Sequence, residues 1–255
     1  MTLPIQRQRP STKSRPALSR SRSAFTLIEV LTVVVIISIL VALSAPIITS
    51  INGANTVTRN AYTLTDTLDQ ARSYATANNT YTWVGIFEEN ADAPGTPGIG
   101  RIILGIFAST DGSKIYADGT PSPGPLDPTR LKQIGELIQL EHTDLVTLSS
   151  SDIQRDTVPA AIHQVAEDTF TSPITITPPH HTDPATASYT FAKLIQFSPL
   201  GDASKIASSP VRCIEFGLRP TKGNITDTTS KNLVAVQLSG IGGQPSLHRP
   251  QPSQP

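Results

Sequence analysis

The chain has 255 residues, 20 of them basic and 20 acidic, with 22 prolines and one cysteine, a size that suits one domain with appendages. One cysteine excludes an intramolecular disulfide and a thiolate metal cage, and the composition excludes collagen, a coiled-coil rod and a zinc ribbon. Charge is thin at 16% and aromatics amount to 5%, while proline and threonine are plentiful, a balance that favours strands and exposed loops over a helical bundle.

The zero net charge conceals an asymmetry. Residues 1–24 carry six bases (Arg7, Arg9, Lys13, Arg15, Arg20 and Arg22) and no acid, leaving a net charge of −6 on the remainder. A basic tract can contact nucleic acid, but this one directly precedes an apolar run, the arrangement of a membrane-targeting segment. The acidic remainder repels a phosphate backbone, so the charge pattern establishes no nucleic-acid partner.

The apolar run FTLIEVLTVVVIISILVALSAP covers 25–46 with Glu29 as its only charge, and the next charged residue is Arg59. As a helix, residues 25–45 would extend about 31 Å, enough to cross the hydrocarbon core of a bilayer. The run is longer than the apolar region of a secretory signal and lacks a small-residue cleavage site beyond it. Glu29 has two readings. As an acid at headgroup depth it is favoured by the helix dipole and needs no further role. As a carboxylate inside a spanning helix it is costly until something pairs with it.

Pro46 removes a backbone hydrogen bond and is expected to kink the helix, and Asn52-Gly53 form a second weak point. Beyond them Val57, Ala61, Leu64, Leu68, Ala71 and Ala75 recur at helical spacing, with Asn60, Thr65, Asp66, Asp69 and Gln70 assigned to other faces. Asn78-Asn79 end the helical pattern. Strands are expected at 81–87, 101–108, 136–140, 145–148, 174–177, 189–197, 211–218 and 233–238, the last three as an antiparallel meander. Loop-rich stretches fall at 90–100, at 111–129 with its PSPGPLDP segment, and at 177–183; the polar, proline-bearing tail 242–255 is expected to be disordered. The fold class is α+β: a long N-terminal helix, membrane-spanning in its first half and amphipathic in its second, packed on an antiparallel β-sheet domain.

Little in the chain points to catalysis. His180-His181 with Asp183 are adjacent ligand types without a further ligand at zinc spacing, and His142, His163 and His248 are scattered. No GxSxG, HExxH, Walker A or GxGxxG run is present, and the prolines of the glycine-rich stretch 94–100 remove amide donors that a phosphate cradle needs. Cys213 lies in an alternating strand pattern as a buried thiol, and the Asn224-Ile225-Thr226 sequon is short enough to arise by chance. No metal, no cofactor and no enzymatic activity is expected.

The stretch Ser23-Ala24-Phe25-Thr26-Leu27-Ile28-Glu29-Val30-Leu31 resembles the processing motif of type IV prepilins and type II secretion pseudopilins. In that family a basic leader ends in a small residue, Phe follows, the fifth mature residue is Glu, and a long apolar helix comes next. The resemblance implies leader cleavage between Ala24 and Phe25, N-methylation of Phe25, and an assembly role for Glu29; Ala24 stands where the family normally has Gly. The run Leu68-Asp69-Gln70-Ala71-Arg72-Ser73-Tyr74-Ala75 before a strand, and later Phe197-Ser198-Pro199-Leu200-Gly201-Asp202, are similar to minor pseudopilins of the H type and to fimbrial-assembly pilins. A long insertion over 110–166 departs from that pattern.

The resemblance implies a leader at 1–24, a membrane and assembly half-helix at 25–52, a globular α+β domain at 53–241 and the tail at 242–255. It further implies a fibre subunit of the bacterial inner membrane with its globular domain in the periplasm. The implied partners are a prepilin peptidase that also acts as N-methyltransferase, and other pilin or pseudopilin subunits. The alternative from the residues alone is a single-pass, membrane-anchored binding or sensor domain; the mature N-terminus separates the two.

Overall fold

The computed structural model of the protein describes residues 26–114, 127–153, 155, 162–168, 174–176, 188–205 and 211–250; for 41–55, 128 and 176 it describes the backbone alone. The expectations for the leader 1–24, for Phe25, and for His180, His181 and Asp183 lie outside the described residues, as does most of the PSPGPLDP segment.

The first element, α1, is assigned over Leu27–Ala77 and contributes to two compact units, one ending at Ile47 and the other beginning at Ile48. In the first unit the described side chains run to Leu40 and are exposed on every side. Eleven large apolar residues between Leu27 and Leu40 are exposed, from 49% at Val35 to 82% at Leu27.

In the second unit α1 has a buried stripe. Val57, Ala61, Leu64, Leu68, Ala71 and Ala75 are all exposed by 2% or less, as their spacing predicts. Asn60 corrects one detail, because it too is buried. It lies three residues after Val57 and next to Ala61, so it borders the stripe. Its amide donates to the Glu141 carbonyl (2.8 Å) and to Thr143 Oγ1 (2.6 Å), which supplies the partners that a buried amide requires.

The stripe packs on two sheets. The first holds β1 (Thr82–Asn90), β2 (Gly100–Ser109), β3 (Leu131–Glu141), β8 (Lys193–Phe197) and β9 (Ala203–Lys205) in the antiparallel order β3-β2-β1-β8-β9. The second is built on β10 (Cys213–Lys222), with β11 (Ile225–Thr226), β12 (Val234–Ser239) and β13 (Pro245–His248) in the order β11-β10-β12-β13. Two more strands pair with β10: β4 (Thr143–Val146) antiparallel and β5 (Ile162–Gln164) parallel. A separate hairpin is formed by β6 (Ile174–Ile176) and β7 (Tyr189–Phe191).

Alternation along the strands explains the layers. Val84 and Ile86 of β1, with Ile214, Phe216 and Leu218 of β10, share one core with the helix stripe. Trp83 and Phe87 point to the other side of the first sheet and pack with Ile103, Phe107, Tyr189 and Phe191. Gly85 and Gly105 face one another across β1 and β2 on that same side. A Cβ at Gly85 would stand 2.8 Å from the Phe191 ring and 2.9 Å from that of Phe107, so glycine there lets both rings lie against the sheet.

Three sequence expectations change. The stretch 189–197 is two strands separated by Ala192, and β8 joins the first sheet beside β1, whereas β10 and β12 pair in the second; the three-stranded meander therefore does not form. The tail is not wholly disordered, because Pro245–His248 adds to β12, with Val236 opposite Leu247. Its proline opens the strand, where a missing donor is tolerated. The insertion 110–166 has a definite place: its described parts supply β3 to the first sheet and β4 and β5 to the second, so it ties the two together.

Candidate functional site

The described start of α1 forms a reciprocal cap. Thr26 precedes the first helical residue, and its hydroxyl accepts from the Glu29 backbone N–H at 3.3 Å. The Glu29 carboxylate reaches back to the Thr26 N–H (3.4 Å) and to the Thr26 hydroxyl (3.4 Å). This is the T-x-x-E capping box, in which two otherwise orphaned donors of a helix end are satisfied by each other's residues. The acid also lies where the positive end of the helix dipole favours it.

Beyond the cap the helix offers almost nothing to water. Its described polar side chains up to Leu40 are Glu29, Thr32 and Ser38. The hydroxyl of Thr32 donates to the Ile28 carbonyl and that of Ser38 to the Val34 carbonyl, each at 2.8 Å. Both are thereby satisfied within the helix and need no solvent, the condition that an apolar surrounding imposes. Among the described residues, no helix is long and apolar enough to cross a membrane; the side chains of the run are described only as far as Leu40.

Residues 19–45 match a family described as "Prokaryotic N-terminal methylation motif". The chain has a prepilin-type N-terminus. The matched segment spans the expected cleavage position between Ala24 and Phe25, the Thr26–Glu29 cap and the apolar run up to Ala45. The match is confined to this segment, the one that resembles the processing motif of type IV prepilins and pseudopilins. No curated protein and no solved structure matches the chain.

Of the residues that the sequence singled out, the prepilin-type motif brings Glu29 together with Thr26, a partner legible only as the first residue of a capping box. Ala24 and Phe25 lie outside the described residues, and Pro46 falls inside the bounds of α1 with its backbone alone described. The described histidines are dispersed. His142 is an exposed turn residue at φ 54°, His163 sits 2.7 Å from Asp168 Oδ1, and His248 ends β13. Among the described residues there is no group of three or more His, Cys, Asp or Glu side chains able to hold a metal ion.

The buried charges outside the motif are tied to one another. Glu215 on β10 accepts two bonds from the Arg155 guanidinium (2.6 and 2.7 Å), one from Gln164 (2.6 Å) and one from Gln237 (2.8 Å). Burial pushes this carboxyl up, but the Arg155, Gln237 and Gln164 donors outweigh burial and hold it below its ordinary value. Arg155 also donates to the Leu148 carbonyl (2.7 Å) and the Ser149 carbonyl (2.9 Å), fastening the chain ahead of β5 to the second sheet. Nothing in the sequence signals this pair, whose members lie 60 residues apart.

A second such group joins three strands of the first sheet, where Arg101 of β2 bonds Glu89 of β1 (2.6 Å) and Glu141 of β3 (2.8 Å) across the ladder. Both groups are fully engaged and hold the framework. Cys213 is 6% exposed, and burial, with the nearby Glu215 charge, pushes its thiol up to about 11, so it stays protonated and inert.

Proposed function

We propose that this protein is a non-enzymatic structural subunit of a type IV pilus-like fibre or type II secretion pseudopilus, of the minor, H-type kind. A prepilin peptidase removes the leader 1–24 after Ala24, and Phe25 is N-methylated. The half-helix 25–52 holds the chain in the inner membrane, kinked at Pro46, and later packs among the helices of neighbouring subunits. The domain 53–241, extended to His248 by β13, stands in the periplasm. The observation that carries this reading is the methylation motif at 19–45, with a helix whose described apolar side chains from Leu27 to Ile39 are exposed by about half or more.

The cap explains how Glu29 is tolerated before assembly. Donors from Thr26 offset part of the cost of a carboxylate at the edge of the bilayer. In the fibre the same carboxylate takes the methylated amine of a neighbouring Phe25, and this pair fixes the axial register because a misplaced charge among apolar helices is costly.

Two measurements test this. N-terminal mass spectrometry of the membrane-extracted protein is expected to find N-methyl-Phe25; an intact Met1 chain in cells with an active prepilin peptidase would leave only the anchored-domain alternative. Glu29→Gln separates the charge from the cap, since glutamine serves a capping box equally well. The variant is expected to insert and be processed as the parent is, yet to be depleted from sheared fibres. Parent-like incorporation would remove the register role.

A further inference from the structure

Three side chains outside the prepilin-type motif meet between the two sheets of the folded unit. Asp168 follows the 3-10 turn Val165–Glu167, which continues directly from β5. Lys205 lies on β9, opposite Ile195 and two residues after Ala203, so it shares their side of the strand, the side of the core that packs on the helix stripe. His163 lies on β5 opposite Ile214, a residue of the same core. Lys205 Nζ donates to Asp168 Oδ1, and His163 Nε2 stands 2.7 Å from that same oxygen.

The Asp168 side chain is 3% exposed, against 23% for Lys205 and 24% for His163. Its second oxygen, Oδ2, is buried and has no hydrogen-bond partner. A carboxylate held this way has lost solvation that a single ion pair does not fully return. The other lysine pairs differ. Lys193 holds Glu88 at 2.6 Å but also donates to the Ala166 carbonyl at 2.8 Å, and Lys222 pairs with Asp227 at 2.8 Å with its own side chain 81% exposed. Among the described residues, Asp168 alone combines a buried carboxyl, a lysine amine on it and a ring nitrogen within hydrogen-bond reach.

We propose that Lys205 and Asp168 are joined by an intramolecular isopeptide bond, formed in the folded protein with His163 as the proton relay. The Lys205 ammonium first passes one proton to Asp168 Oδ1, leaving an amine and an acid, which are less costly than two ions away from water. The Nζ lone pair then attacks Cγ and forms the C–N bond while the C=O π pair moves onto Oδ2. His163 Nε2 takes a proton from the attacking nitrogen and returns it to Oδ1. The Cγ–Oδ1 bond breaks with its electron pair and Oδ1 departs as water, leaving Oδ2 as an uncharged amide carbonyl. Ammonium and carboxylate thus become amide and water, nothing is oxidised or reduced, and no co-reactant is needed. Holding the reacting groups in contact supplies the driving force, since well-oriented pairs reach effective molarities of about 10⁵–10⁸ M. The two residues are 37 apart in sequence, and the bond ties β9, the edge of the first sheet, to the segment that leaves β5 of the second. A subunit clamped in this way resists separation of its sheets under tension.

The test is the intact mass of the full-length protein extracted in detergent, with its N-terminus identified on the same sample. The parent is expected to be lighter than its sequence by one water, and fragmentation of a digest is expected to find a branched peptide with two amino termini joining Lys205 to Asp168. Lys205→Arg, which keeps a cation beside the carboxyl, and Asp168→Ala are expected to show the full mass of their sequences. His163→Gln is expected to slow the loss of water by about a hundredfold, read as the unlinked fraction at fixed times after synthesis. A parent of full mass overturns the bond, as does loss of water from an unbranched peptide or from Lys205→Arg. Linking of His163→Gln at the parent rate overturns the relay.

Discussion

The two described parts of α1 differ in composition and meet opposite fates. Between Leu27 and Leu40 the apolar side chains cover the whole circumference and are exposed by about half or more; between Val57 and Ala75 they form one stripe, exposed by 2% or less against two sheets. The second part is finished by its own chain, since each stripe residue has strand residues to touch and the polar residues opposite face water. The first part is unfinished: its hydroxyls are satisfied internally and its acid is capped, but its described apolar side chains from Leu27 to Ile39 stay exposed. Apolarity without a preferred side is a request for surroundings apolar on all sides, as lipid and a helix bundle both are.

The largest test of that contrast removes each part. A chain lacking residues 1–52 is expected to be a soluble, folded monomer, because the stripe stays with its sheets. One lacking residues 1–78 exposes the inner faces of both sheets and is expected to aggregate. Size-exclusion chromatography and circular-dichroism melting compare the two, and equal behaviour would break the distinction.

A single side chain gives the same contrast on a smaller scale. Leu68→Ala, at a position with no exposed surface, is expected to destabilise the folded unit by about 2–5 kcal/mol. Ile36→Ala, at a residue 52% exposed, is expected to leave it within about 0.5 kcal/mol. Denaturant titration of the full chain in detergent, followed through the buried Trp83, measures both. A comparable loss for the two would contradict the separation of roles.

Smaller still is Asn60→Ala, which leaves the Glu141 carbonyl and the Thr143 hydroxyl each without one donor and is expected to cost about 1–3 kcal/mol in the same titration. An unchanged midpoint would mean that Asn60 belongs on the outer face after all. The smallest effect concerns the other end of the helix. Thr26→Ala is expected to weaken the first turn by about 0.5–2 kcal/mol, seen as faster amide exchange at Glu29 and Val30, with Thr26→Ser restoring the parent rate. Parent-like exchange in Thr26→Ala would show that the cap contributes nothing.

The sequence by itself determined the features that depend on order along the chain. The stripe from Val57 to Ala75 is a matter of spacing, β1, β2 and β12 are runs of β-branched and apolar residues, and the motif at 19–45 is contiguous. The tertiary structure decided what depends on residues far apart meeting. Asn60 is buried only because the turn after β3 brings it a carbonyl and a hydroxyl. The 189–197 stretch divides because β7 pairs with β6 while β8 takes the edge of β1. Pro245–His248 becomes a strand because β12 presents an open edge to a segment too short and polar to announce itself. Arg155 finds Glu215 across 60 residues, where no local pattern can place a charge inside. Spacing fixes which face of a segment is apolar, but only the assembled fold supplies the hydrogen-bond partners that let a polar residue be buried there, and so only it settles the exceptions.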